Sequence, residues 1–178
     1  MRKSFEALTC ASRRSILAFM LSGPAGFLLK FPEVGQLETI MERTTVGGEP
    51  VPSTVVTKDA LNEMAALVRD MKIENKTILK YCARLVRATH AEDKTATDMV
   101  RKYMRYGASP RAAQALIWGG KVRALMAGKP CIDFDDIRAV CPLCLRHRII
   151  LNFEGESANI ATDAIITEVI AKVPEVNF

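Results

Sequence analysis

From Thr57 onward, apolar residues recur every three or four positions, the spacing of amphipathic helices. Leu61, Met64, Ala65, Val68 and Met71 mark one face, and Thr57 stands where a helix start needs a capping hydroxyl. A break at 72–75 precedes a second helix faced by Ile78, Cys82, Leu85, Val86 and Thr89. Residues 90–106 are polar and charged, and read as a long exposed connection holding at most one helical turn. Gly107-Ala108-Ser109-Pro110 opens a third helix. Its Ser is expected to bond a free amide, and its Pro has no N–H to satisfy. Ala112, Ala115, Leu116, Gly119, Val122 and Met126 form the face of that helix, and Gly128 ends it.

Asp133 is the expected cap of a fourth helix, whose first turn carries Asp135 and Asp136 at the positive end of the dipole. Residues 149–153 suit a short strand or an extended arm. Thr162 is the expected cap of a last helix, faced by Ile165, Ile166, Val169 and Ile170 and stopped by Pro174. Upstream, residues 32–45 form a shorter amphipathic stretch with Leu37, Ile40 and Met41 in helical register. The run Gly47-Gly48-Glu49-Pro50-Val51-Pro52 is the plainest loop signal, and is expected to be exposed. The apolar faces are expected to be buried together.

Composition supports a folded helical protein. Of 178 residues, 49% are hydrophobic, 25% charged and only 6% aromatic, which leans away from sheet. The net charge of +5 allows a phosphate or nucleic-acid ligand without requiring one. Two histidines argue against a histidine-based active site. Arg2, Lys3, Arg13 and Arg14 precede the apolar run 16–21, the order of a signal peptide. However, the basic residues are spread widely, Glu6 interrupts them, and no A-x-A site follows. Ser22-Gly23-Pro24 breaks the stretch before it could span a bilayer. Five cysteines make no even framework, which fits a reducing compartment. A cytoplasmic protein is expected.

The sequence contains no complete catalytic motif. The Gly-Lys pairs Gly120-Lys121 and Gly128-Lys129 lack the hydroxyl and the first glycine of a P-loop. Cys131, Cys141, Cys144 and His147 could surround zinc. A second paired knuckle is missing, though, and Cys141 and Cys144 fit better as small apolar residues on a helix face. Arg111 is the sharper candidate. It sits in the first turn of the Ser-Pro helix, where guanidinium and free amides both favour an anion such as phosphate. A solvated surface arginine is the plain alternative. Arg146-His147-Arg148 could meet an acidic partner or nucleic acid, but fits better as a helix C-terminus.

Tyr106-Gly107-Ala108-Ser109-Pro110-Arg111-Ala112 resembles the G-A-S-P-R-A signature of MoxR-type AAA+ ATPases, which opens a helix of their C-terminal lid domain. Three segments follow in the family's order. They are Ala127-Gly128-Lys129-Pro130, then Ile132-Asp133-Phe134-Asp135-Asp136-Ile137, then Leu145-Arg146-His147-Arg148-Ile149. The family typically reads G-R-x-x-V-x-P-x-D-V and V-L-R-H-R at these places. Residues 81–89 resemble its Y-I-x-x-L-V-x-A-T-R segment, with His90 where arginine is usual. Residues 32–40 resemble Y-P-x-x-x-E-x-x-I-L, with Glu38 and Ile40 in place. The resemblance spans roughly residues 27–174.

The resemblance implies an all-α bundle of about five helices over residues 32–178, with residues 1–31 a remnant of the ATPase core. Arg111 would be the sensor-2 arginine, reaching the γ-phosphate of ATP held with Mg on the core. The Walker A, Walker B and sensor-1 parts would lie upstream. Residues 20–27 depart from the family's L-P-E-A-Q-L-D-R-F, losing its acidic and arginine positions. The chain is therefore expected to be a truncated piece or a degenerate copy, inactive alone although its family hydrolyses ATP. Such lids sense nucleotide state and couple it to oligomer packing. The family forms chaperone-like rings that mature or insert cofactors in client proteins. The implied partners are the ATPase core, neighbouring subunits and a client; no membrane or nucleic acid is expected. The alternatives are a non-enzymatic helical interaction module, and a small nucleic-acid binder using Arg101, Lys102, Arg105, Arg146 and Arg148.

Overall fold

The helical periodicity of the sequence is realised in a computed structural model that describes residues 26, 28–45 and 56–175. Among these residues there are eight helices: α1 (Val34–Thr45), α2 (Lys58–Asp70), α3 (Thr77–Arg87), α4 (Asp98–Tyr103), α5 (Pro110–Met126), α6 (Phe134–Leu145), α7 (Phe153–Ser157) and α8 (Thr162–Lys172). The fold is all-α apart from one small antiparallel pair, β1 (Met104–Tyr106) and β2 (Ile150–Leu151). Met104 pairs with Leu151 and Tyr106 with Ile150, with an irregularity of register between them. The six longer helices occupy the segments expected from periodicity, and α4 and α7 are additional.

Helix α5 is the axis of the core. Ala112, Ala115, Leu116, Gly119, Gly120, Val122, Ala124 and Leu125 are all buried, so it is covered nearly all round rather than on one stripe. It packs chiefly on α6, then on α3 and α2. Tyr81 of α3 is fully buried, with the Phe134 ring edge-on at 5.4 Å. Lys121 is the polar exception on α5. Its ammonium bonds the Arg69 carbonyl at 3.2 Å, so a buried cation meets the C-terminal end of α2. Burial pushes its pKa down, and Asp70 partly opposes this. Gly128 closes α5 with φ +73°, and Lys129 N–H returns to the Ala124 carbonyl at 2.9 Å.

Several caps follow the sequence. Thr57 accepts from Ala60 N–H at 3.2 Å. Asp133 and Asp136 form a reciprocal capping box at the start of α6. Two caps do not follow it. Ser109 has the extended backbone of a cap but its side chain makes no cap bond. At α8 the cap residue is Ala161, so Thr162 lies already inside the helix.

Residues 90–106 also differ from the exposed connection expected. Thr97 caps α4 by accepting from Val100 N–H and donates to Glu168 at 2.7 Å. This buries Val100 and Met104, and β1 completes the segment. Local polarity hid a segment whose order comes from α8 and β2.

The largest departure is α1. The helix forms, but Leu37, Ile40 and Met41 do not join the core, and no residue of α1 is buried. Val34 is 74% exposed and Met41 55%. The loop around Pro50 and Pro52, and nearly all of residues 1–30, lie outside the described residues.

Candidate functional site

Arg111 is exposed in the first turn of α5, and no acidic residue shares that turn. Neither a hydrogen bond nor an ion pair engages it among the described residues. Ala112, the next residue, is fully buried. On a helix of 3.6 residues per turn the two directions diverge by about 100°, so the guanidinium stands off the core while its helix is anchored in it. The backbone amides of the first turn add partial positive charge there. An uncompensated guanidinium at a helix N-terminus is chemically suited to a phosphate oxygen.

The turn before Arg111 is held from the end of α3. Ala108 N–H donates to Thr89 Oγ1 at 2.9 Å, and the Ala108 carbonyl lies 3.0 Å from His90 Nε2. Thr89 and Ala108 are both buried. The Thr89 hydroxyl in turn donates to the Val86 carbonyl at 2.6 Å. A Cβ on Gly107 would lie 2.7 Å from the Thr89 carbonyl oxygen and 2.8 Å from the His90 ring, so only glycine fits. The roles of Thr89, His90 and Gly107 were not evident from sequence patterning. The available signal was a polar threonine on an otherwise apolar face, since a buried hydroxyl needs partners.

The other candidates are absorbed by the fold. Cys141 and Cys144 are fully buried with Cys82, and Cys144 Sγ lies 3.5 Å from the Ala115 carbonyl. Burial pushes the Cys82 thiol up to about 12 and Cys144 to about 11, and raises Cys141 as well. Cys131 is half-buried and His147 exposed. No group of three or more His, Cys, Asp or Glu side chains among the described residues is arranged to hold a metal ion.

These thiols support two predictions. Thiolate is the reactive form, so a small alkylating reagent at pH 8 should modify Cys131 first among the four described cysteines. Peptide mass mapping should find Cys82, Cys141 and Cys144 unmodified until the protein unfolds. Their folded pKa values lie above the unfolded value of about 8.5, so the unfolded state loses protons first as pH rises. Stability should therefore hold below about pH 8.5 and fall progressively toward pH 11–12. Denaturant titrations at pH 7 and pH 10 check this direction.

The five cations of the nucleic-acid alternative are largely committed. Arg101 donates to the Asp93, Lys94 and Ala96 carbonyls, and Lys102 meets Glu154 at 3.2 Å. Arg146 grips Asp163 through two bonds of 2.7 Å, and Arg148 Nε caps the Cys144 carbonyl at 2.9 Å. Arg105 rests over the Tyr106 ring at 5.1 Å.

Comparison with known proteins shows what the chain is similar to. The family model for the AAA lid domain matches residues 96–169, which include Arg111 and all of α4 to α6. Residues 96–169 are similar to an AAA lid domain. The chain is 30% identical over 102 residues to Chaperone MoxR1 of Mycobacterium tuberculosis, covering 56% of this chain and 27% of that protein. It is 29% identical over 93 residues to YeaC of Bacillus subtilis, covering 49% of this chain and 29% of YeaC. The crystal structure of a Cytophaga hutchinsonii protein classed as an ATPase superposes with TM-score 0.68 at 28% identity. That match covers 85% of this chain and 46% of the solved one. The chain thus spans under a third of its curated relatives and just under half of the solved ATPase. No helix among the described residues is long and apolar enough to cross a membrane.

Proposed function

We propose that this chain is the nucleotide-sensing lid of a MoxR-like AAA+ ATPase. In this reading an ATPase core holds ATP and Mg. The lid closes over them and passes the nucleotide state to neighbouring subunits of a ring with chaperone-like action on a client. The observation that carries the reading is Arg111, exposed and unengaged at the start of a helix anchored in the core. The terminal phosphate of bound ATP supplies the anion. Arg111 supplies charged donors, and the buried face of α5 keeps those donors at a fixed place on the lid surface.

The residues present suit one phosphate contact but not a metal centre, so Mg is assigned to the core. Residues 1–31 are assigned to a remnant of that core and 32–178 to the lid. ATP hydrolysis by this chain alone is not part of the proposal, and the working compartment is the cytoplasm.

The exposed apolar side chains of α1 favour a second reading, a helical interaction module that binds regardless of nucleotide. One titration separates the two. This chain is mixed with a MoxR-type ATPase core lacking its own lid, in the presence of ATP, ADP or neither. The lid reading expects at least about tenfold tighter association with ATP, the value of one charged hydrogen bond. Equal affinity in all three conditions removes it and supports the interaction module.

A further inference from the structure

We infer that Thr89 and His90 are positioning residues for Arg111. From the end of α3 they clamp both backbone polar groups of Ala108 and so set the direction in which α5 begins. The inference rests on the reading of Arg111 as a nucleotide contact, and concerns what holds that contact in place.

A Ser-Pro helix start is ordinarily pinned by its own capping hydroxyl, but the Ser109 side chain makes no such bond. The start of α5 is therefore pinned from elsewhere. Three residues before Arg111, the Ala108 N–H is taken by Thr89 Oγ1 at 2.9 Å and its carbonyl faces His90 Nε2 at 3.0 Å. A carbonyl only accepts, so Nε2 carries the proton. The other ring nitrogen lies 3.6 Å from Glu92.

The base of the clamp is rigid. Ile78, Tyr81, Cys82, Leu85 and Val86 of α3 are all buried, and Thr89 is tied to the Val86 carbonyl at 2.6 Å. The contact at Gly107, where no Cβ fits, presses the turn against this base. Such clamping is how a flexible guanidinium at a helix start gains a defined origin, and misplacement of about 1 Å can cost a hundredfold in a site that depends on geometry.

The test uses this chain in two measurements, with Thr89→Val, His90→Ala, and Thr89→Ser as the conservative rescue. In amide hydrogen exchange, Thr89→Val should speed exchange at Ala108 by roughly twofold to tenfold, the loss of one neutral hydrogen bond. Exchange at Leu85 and Leu116 should stay unchanged, and Thr89→Ser should restore protection. Unchanged exchange at Ala108, or an equal rise at Leu85 and Leu116, overturns the clamp.

In the ATP-dependent titration against a lidless core, Thr89→Val and His90→Ala should each weaken binding several-fold. Neither should weaken it further once Arg111→Ala is present. Loss of the same size in both backgrounds would show general damage to the fold and overturn the inference, as would no loss in either. If Arg111→Ala itself binds like the wild type, the nucleotide reading fails; the clamp then stands or falls on exchange at Ala108.

Discussion

In an ATPase carrying this lid, Arg111→Ala is expected to slow ATP hydrolysis roughly tenfold to a hundredfold. The estimate follows from the chemistry at the start of α5. Arg111 has no partner among the described residues, so truncation breaks nothing within the lid. The loss would fall on the phosphate it meets when a core presents nucleotide. A hydrogen bond to a charged group contributes about 1.5–3 kcal/mol, which sets the range. The lid should remain folded, because exposed substitutions of this kind stay within about 0.5 kcal/mol. Circular dichroism and thermal unfolding of the isolated variant check that half, and steady-state ATPase rates check the other. An unchanged rate would leave Arg111 as a solvated surface residue.

The largest stability effect is expected at Leu116, fully buried in the helix that α6, α3 and α2 surround. Leu116→Ala removes buried apolar surface and leaves a cavity, costing about 2–5 kcal/mol. For a chain of this size that lowers Tm by roughly 5–20 °C. Ile40→Ala on α1 is the matched control. Ile40 is 46% exposed on a helix without a buried residue, so its loss should cost about 0.5 kcal/mol or less. Comparable losses at both sites would mean that α1 is packed into the core after all. Thermal unfolding of the two variants separates the outcomes.

The contrast between Leu116 and Ile40 also shows what the sequence could reveal. Both lie on apolar stripes with helical spacing, and periodicity locates a helix without saying what covers it. Leu116 has α6, α3 and α2 around it, whereas Ile40 has no such cover among the described residues. Thr57 and Asp133 were legible as caps because their partners lie three residues away. Ser109 carries the same local signal, yet the start of α5 is held at Ala108 by Thr89 and His90, 19 and 18 residues upstream. Long-range hydrogen bonds of that kind leave no spacing to read. The segment around Val100 escaped for the same reason, since its order comes from Glu168 and from the β2 strand. The candidate site was legible in part. Arg111 could be picked out from the Ser-Pro helix start, but the clamp that fixes its origin required the three-dimensional fold.

The decisive measurement is a structure of an ATPase core carrying this lid, determined with a non-hydrolysable ATP analogue. The expected result is the Arg111 guanidinium within about 2.7–2.9 Å of a terminal phosphate oxygen, with the Ala108 backbone still held by Thr89 and His90. A lid closed over nucleotide with Arg111 turned to solvent, and another cation on that phosphate, would contradict the nucleotide-sensing role.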